Sequence, residues 1–294
     1  MLSTITAFRR YQEILHRMPS ANTTKQTQDI DSITEISNLV SAFVFDAFGV
    51  LNVGETLIDG ANQRLSELRQ RSIQIRILTN AASYGRTETV KKFDRLGLEF
   101  DPSEIITSRD AALNALTPLT WGVIAASEDN LTDIRHETIR LGDNASAYDF
   151  VDGFLFLSSS AWSLENQKIL ETSLKRRARP VLIANADLVA PRENGFSLEP
   201  GYYGHLLLDA GINDVRFFGK PFPEVYSLAE RSLPDLDSND IAMCGDTLHT
   251  DILGAAARNW LTVLVTKDGM FSGHDTQAFC EESGIFPDWR VERI

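Results

Sequence analysis

Along this chain, short apolar runs alternate with longer stretches whose apolar residues recur every three or four positions. "AFVFD" (42 to 46) is followed by "GANQRLSELRQR", and "IQIRILTN" (73 to 80) by "RTETVKKFDRLG". That rhythm predicts an α/β fold with a parallel sheet covered by helices on both faces. It continues through "WGVIAA", "DNLTDIRHETIRLG", "VDGFLFLS", "LENQKILETSLKRRA" and "VLIAN", enough for a small α/β unit of its own. It then resumes with "VRFFGK", "PEVYSLAERSL", "DIAMCGD", "TDILGAAARNW" and "TVLVT". The expected organisation is therefore discontinuous. Residues 40–116 and 201–294 form one core domain, 117–200 form an inserted domain, and 1–39 supply N-terminal helices and a linker.

In that first segment the pattern predicts an amphipathic helix over residues 4 to 17. The polar stretch "PSANTTKQTQD" (19 to 29) reads as a linker, and a second helix follows over 32 to 40. The opening residues are not continuously apolar, and no run approaches the roughly 20 residues that span a bilayer. Helix-spaced Val90, Phe93 and Leu96 mark a core-facing helix whose neighbouring lysines face solvent.

In open parallel sheets, ligands bind beyond the carboxyl ends of the strands. Several predicted strands end here in groups suited to a single kind of chemistry, namely Asp46, Thr79 with Asn80, Lys220, and Asp246 followed by Asp251. Converging carboxylates with few other ligands suit Mg²⁺, which keeps several waters and shares its sphere with phosphate. A lysine adds a compact positive charge for phosphoryl oxygens, and a threonine hydroxyl adds a neutral donor. Asp46 is then a nucleophile that attacks phosphorus, giving an aspartyl-phosphate that water hydrolyses. Taken singly, each residue has a plain structural role, as a cap, a turn residue or a solvated lysine. Their shared position after apolar runs is what joins them.

Composition narrows the partners. Acids outnumber bases 41 to 28, for a formal net charge of -13, which argues against nucleic acid and against anionic membranes. A small anionic substrate then needs a local positive site. The densest basic cluster, "LKRRARP" (174 to 180), falls in the last turns of a predicted helix, where cations oppose the helix dipole. Two cysteines, Cys244 and Cys280, are too few for a disulfide framework and fit a reducing cytoplasm.

The motifs resemble the haloacid dehalogenase superfamily, in its class IIA phosphatase-like branch. "DAFGVLNVG" with "DGA" (46 to 61), "LTNAAS" (78 to 83), "GKPFPEVY" (219 to 226) and "GDTLHTDILGA" (245 to 255) resemble its four motifs in order, over residues 40 to 270. The resemblance implies a Rossmann-like core with an inserted α/β cap, Mg²⁺ as cofactor, and a small phosphorylated metabolite as substrate. It implies Asp46 as nucleophile, with Asp46, the carbonyl of Phe48, Asp246 and Asp251 around the metal. Thr79, the amide of Asn80 and Lys220 would hold the phosphoryl group. "IANAD" resembles a cap loop of that branch, which makes Asn185 and Asp187 substrate-facing residues. The branch also favours a homodimer.

One position departs from the pattern. Phosphatases of the superfamily carry a second Asp where this chain has Phe48, and that Asp protonates the leaving alcohol and then activates water. Losing such help costs on the order of 10²–10⁴ in rate. Three outcomes follow. The substrate has a good leaving group, or another group, such as His249, donates the proton. The aromatic residue instead marks a carbon-attacking, dehalogenase-like enzyme, although "GDTLHTD" suits a metal such enzymes do not need. Or the protein binds phosphometabolites without turnover.

Overall fold

The computed structural model describes residues 3–23, 26–192 and 195–294. A seven-stranded, wholly parallel sheet forms the core. Its strands run in the spatial order Gln28–Asp29, Trp289–Val291, Leu261–Val265, Ile241–Gly245, Ala42–Phe45, Gln74–Thr79, Ile105–Thr107. From Ala42–Phe45 the chain steps outward in one direction through Gln74–Thr79, and from the adjacent Ile241–Gly245 it steps outward in the other. The order thus reverses between these two central strands, which is where such sheets open a ligand crevice.

Both central strands are buried on both faces, and the pleat divides their side chains. Phe43 and Phe45 pack with Ile75, Ile77, Val263 and the helices Ala61–Gln70 and Arg86–Arg95. Val44 and Met243 face the opposite way, against Val225, Tyr226 and Ala229 of helix Pro223–Arg231.

A second parallel sheet has five strands, ordered Val215–Phe217, Val181–Ile183, Gly153–Phe156, Trp121–Ile124, Thr138–Arg140. One face carries Phe154, Phe156, Val181 and Ile183 against helices Leu164–Arg176 and Pro200–Asp209. The other, through Trp121, Val123, Leu155 and Leu182, joins the apolar cluster of the core. The expected boundary at residue 200 falls short of this sheet. "VRFF", read as a return to the core, is its edge strand, because Val215–Phe217 pairs with Val181–Ile183.

"DNLTDIRHETIRLG" is not helical. Its apolar spacing is helical, but the Asp129 and Asn130 side chains accept from the backbone N–H of Leu131 and Thr132 at 3.1 and 3.2 Å. Such local bonds compete with helix formation. The segment ends instead in the strand Thr138–Arg140. Asp129 and Asp133 together hold the buried guanidinium of Arg109.

The N-terminal segment also differs from its expected form. Helix Thr4–Ile14 is followed by a 3-10 turn, Leu15–Arg17. Its buried face of Ala7, Phe8, Tyr11 and Ile14 packs on Leu248, Ile252 and Phe271. Two residues of the expected linker, Gln28–Asp29, are an edge strand of the core sheet. The second expected helix is a single 3-10 turn, Ile33–Ile36, closed by a Ser32–Glu35 capping box. Among the described residues, no helix is long and apolar enough to cross a membrane.

Candidate active site

Asp46 and Asp246 are the residues that follow the two central strands, so the reversal of strand order brings their carboxylates together. Asp251 lies one helical turn further on, in Leu248–Ile252. The three carboxylates offer oxygens that all lie within 4.8 Å of one another. Lys220 reaches into this cluster from beyond the second sheet, its Nζ 2.7 Å from Asp46 Oδ1 and 2.6 Å from Asp251 Oδ1.

Each acid is also held by backbone. The Ala47 N–H donates to Asp46 Oδ1 (2.7 Å), and the Met270 N–H donates to Asp246 Oδ2 (2.7 Å). The Thr247 N–H donates to Asp251 Oδ2 (3.1 Å). Glycine makes the close approach to Asp246 sterically feasible. A Cβ on Gly49, which sits at φ +78°, would lie 2.6 Å from Asp246 Oδ2, and one on Gly269 would lie 2.2 Å from it.

One lysine does not balance three acids. Burial, only partly offset by Lys220, pushes the Asp46 carboxyl up to about 6, with the charge of Asp251 adding to the rise. Burial and the charges of Asp251 and Asp46 push Asp246 up to about 8. Burial acts against the Lys220 ammonium, but Asp251, Asp46 and Asp187 outweigh it and hold its pKa above the ordinary lysine range. A hard divalent cation with oxygen ligands fits such a donor set, both in its ligand type and in its shortage of positive charge.

Thr79 and Asn80 lie alongside. Thr79 ends the strand Gln74–Thr79, and its Oγ1 accepts from the Ala81 N–H at 3.1 Å. The amide side chain of Asn80 acts as a clamp. Its Oδ1 accepts from the Lys220 N–H (2.6 Å), and its Nδ2 donates to the Lys220 carbonyl (3.1 Å) and to Asp187 Oδ1 (2.8 Å). Asn80 thereby ties the core to the cap loop. Asp187 is drawn in with it, and burial, despite Lys220, raises its carboxyl well above the usual range, with Asp46 adding to the rise. Asn185 Oδ1 accepts from the Asp187 N–H at 2.9 Å, and its Nδ2 donates to Glu199 at 3.1 Å.

These groups open onto a cavity of about 490 Å³ between the two sheets. Asp46, Phe48, Thr79, Asn80, Asn185, Asp187 and Asp246 all line it. Lys220 and Asp251 stand behind this wall, both buried. His249 is elsewhere. It is fully buried, stacked on Tyr11 with centroids 5.0 Å apart and edge-on to Phe8 at 5.3 Å, and burial pushes its pKa down to about 3. It faces the N-terminal helix and does not line the cavity, so the expectation that it replaces the missing acid is corrected.

Sequence reasoning missed the far wall. Lys92, read as part of a solvated face, lines the cavity with Glu88, Thr89 and Arg95, and Arg192 enters from the hairpin Val189–Arg192. Their cationic heads lie over one ring, that of Phe48. Lys92 Nζ is 4.1 Å from its centroid and Arg192 Cζ is 5.7 Å away. Residues 88, 89 and 92 share a helical face, which is the one signal that could have placed them.

The basic run 174 to 180 is structural. Arg179 donates to the Val151 carbonyl (3.2 Å) and to the Ser173 carbonyl (2.9 Å).

Two family profiles match the chain. One described as haloacid dehalogenase-like hydrolase covers residues 43–129, and one described as HAD-hydrolase-like covers residues 217–289. An acid sugar phosphatase of Staphylococcus saprophyticus is 27% identical over 216 residues, spanning 72% of this chain and 81% of the relative. Mouse haloacid dehalogenase-like hydrolase domain-containing protein 2 is 23% identical over 238 residues, 81% of this chain and 88% of the relative. Among solved structures, a possible sugar phosphatase of Cytophaga hutchinsonii superposes with a TM-score of 0.79 at 21% identity, over 90% of this chain and 98% of the other. A 4-nitrophenylphosphatase of Thermotoga maritima does so with a TM-score of 0.71 at 17% identity, over 88% and 96%.

Proposed function

The chain belongs to the haloacid dehalogenase-like hydrolases, and from that premise we propose that it is a phosphatase-type hydrolase acting on a small phosphorylated metabolite with Mg²⁺. The observation that carries the reading is the convergence of Asp46, Thr79 and Asp246, at strand ends that line one cavity, with Lys220 and Asp251 buried directly behind them. The names of its relatives, which include several phosphatases, agree with that chemistry.

Asp46 attacks phosphorus. Its Oδ1 is fixed by Lys220 Nζ at 2.7 Å and by the Ala47 N–H, and the residue lines the cavity. The Thr79 hydroxyl and the backbone amide of Asn80 steady the phosphoryl oxygens, and Lys220 offsets the charge that gathers on carboxylate and phosphate. Asp46, Asp246 and Asp251, with the carbonyl of Phe48, would hold a Mg²⁺ ion, which supplies charge neutralisation and alignment of the phosphoryl group. The cap loop at Asn185 and Asp187 faces the remainder of the substrate. With phenylalanine at 48 and His249 turned away, nothing at either position can protonate a departing alcohol, so the enzyme favours acyl and aryl phosphates over alkyl esters. The two buried, unpaired thiols suit a cytoplasmic setting.

The test is phosphate release from an acyl, an aryl and an alkyl phosphate, and halide release from a 2-haloacid, each with Mg²⁺ and with chelator. Metal-dependent release from the activated phosphates, lost in Asp46→Asn, sustains the reading. Metal-independent halide release replaces it with attack on carbon, and silence on all four replaces it with a binding protein.

A further inference from the structure

Lys92 and Arg192 come from different domains, yet both place a positive charge over the ring of Phe48. Arg95 lines the same cavity. Gathering cations in this way costs free energy through their mutual repulsion unless something negative offsets it. Burial, against the pull of Glu55, and the charges of Arg192 and Arg95 together hold the Lys92 ammonium below the ordinary lysine range. The chain carries a formal charge of -13, so such a cluster is not a by-product of an overall basic surface.

The carboxylates nearest these cations offset them only in part. Glu55 stands 3.6 Å from Lys92 Nζ with 72% of its side chain in solvent, a pairing that water largely screens. Glu199 Oε1 lies 3.2 Å from Arg192 Nη2, and Ser197 Oγ accepts from Arg192 Nε at 2.9 Å. These contacts orient the guanidinium over the cavity wall.

Phe48 completes the arrangement. An aromatic face attracts a cation through its quadrupole without cancelling its charge. An aspartate at that position would place a carboxylate beside Lys92, in competition with a ligand for its charge. The ring instead seats both cations, of which Lys92, paired only with a solvated Glu55, keeps most of its charge for a ligand while Arg192 shares its charge with Glu199, in the cavity that Asp46 also lines.

We propose that Lys92 and Arg192, seated on Phe48, form an oxyanion subsite for the leaving-group half of the substrate, which is therefore a phosphate compound bearing a second carboxylate or phosphate. The proposal rests on the reading of Asp46 as the nucleophile of a phosphatase. It gives residue 48 a role in selection in place of proton transfer, and it makes the core helix and the cap hairpin close on the same ligand group.

The experiment compares phenyl phosphates that differ only at the para position: a carboxylate, a second phosphate, or a neutral carboxamide. The expected kcat/KM of the wild-type protein favours an anionic substituent over the carboxamide by roughly tenfold or more at low salt, and the ratio falls as salt is raised. Which anion gains more tells carboxylate from phosphate. In Lys92→Met and in Arg192→Met the ratio drops toward one. A wild-type ratio of one, or a ratio unchanged in both variants, overturns the proposal. If no substrate releases phosphate, the phosphatase reading fails by itself, and titration calorimetry with the matching arylphosphonates still reads the subsite. Tighter binding of the carboxylate analogue that disappears in Lys92→Met sustains it, and equal affinities overturn it.

Discussion

At one end of the cavity Lys220 is 1% exposed and gripped at 2.7 and 2.6 Å by Asp46 and Asp251. At the other end Lys92 lies 3.6 Å from a largely solvated Glu55 and rests on the face of Phe48. Both are lysines beside the cavity, Lys92 lining it and Lys220 buried behind its wall. The first is fixed by partners that share its burial, so its charge belongs to the framework of the site. The second is held by a ring and a distant acid, so its charge remains free to meet a ligand. Strand ends and backbone N–H groups build the carboxylate end, whereas side chains from two domains build the Phe48 end.

The largest effect should come from Asp46, the proposed nucleophile. Asp46→Asn keeps the size of the side chain and removes its attack, so phosphate release is expected to fall on the order of 10⁴ or more, with circular dichroism unchanged. Phe48→Asp acts on the other end. If proton donation is what the chain lacks, turnover of alkyl phosphates should rise on the order of 10²–10⁴, and the leaving-group dependence of kcat should flatten. A variant that folds but gains nothing would mean that residue 48 does not set the leaving-group requirement.

Lys220→Met separates the two lysines by stability. It strands Asp46 and Asp251 in a buried setting, and breaking such a pair costs about 3–5 kcal/mol, which denaturant unfolding measures directly. Pairing it with Asp251→Asn should recover part of the loss, because one of the stranded charges is then gone. An unchanged unfolding midpoint in Lys220→Met would contradict a framework role.

Acidity reports on the same end. Asp46 at about 6 and Asp246 at about 8 lie above the ordinary carboxylate value of 3.8, so the folded, metal-free protein retains protons that the unfolded chain releases. Their contribution to stability is fully present below the ordinary value and is lost as pH rises through about 6 and about 8. The proposed Mg²⁺ site needs these carboxylates ionised, so the rise in Tm on adding Mg²⁺ should be larger near pH 8.5 than near pH 5.5. His205 works in the opposite sense. Burial pushes it down to about 3 from 6.5, so its contribution is present above 6.5 and is lost as pH falls toward 3.

How far the sequence foretold this follows from the range of the interactions involved. Strand ends could be read because an apolar run followed by Asp46, Thr79 or Asp246 is a local pattern, and parallel packing aligns such ends. The convergence of these residues was therefore legible from their order alone. The wall at Phe48 was not. Lys92 and Arg192 are separated by the whole inserted domain up to its hairpin, and only the closure of that domain over the core brings both onto Phe48. His249 shows the converse. It sits inside the most specific motif, yet the helix Thr4–Ile14, far off in sequence, decides which way its ring faces. The edge strand Val215–Phe217 was misread for a similar reason, since an apolar run does not state which of two sheets it will join.

The smallest expected effect gives the sharpest contrast between the two lysines. Glu55 is the acid nearest Lys92 in the far wall, and a solvated pair at 3.6 Å contributes only about 0–1 kcal/mol. Glu55→Gln should therefore leave the unfolding midpoint almost where it was, in contrast to Lys220→Met. Removing that acid also removes the competitor for the ammonium of Lys92. An anionic leaving group should then bind about two- to threefold more tightly, a gain of under 1 kcal/mol, while a neutral one is unaffected. Calorimetry with the arylphosphonate pair reads both quantities on one protein. A Glu55→Gln variant that unfolds much earlier would show the far wall to be framework as well, and the distinction between the two ends of the cavity would fail.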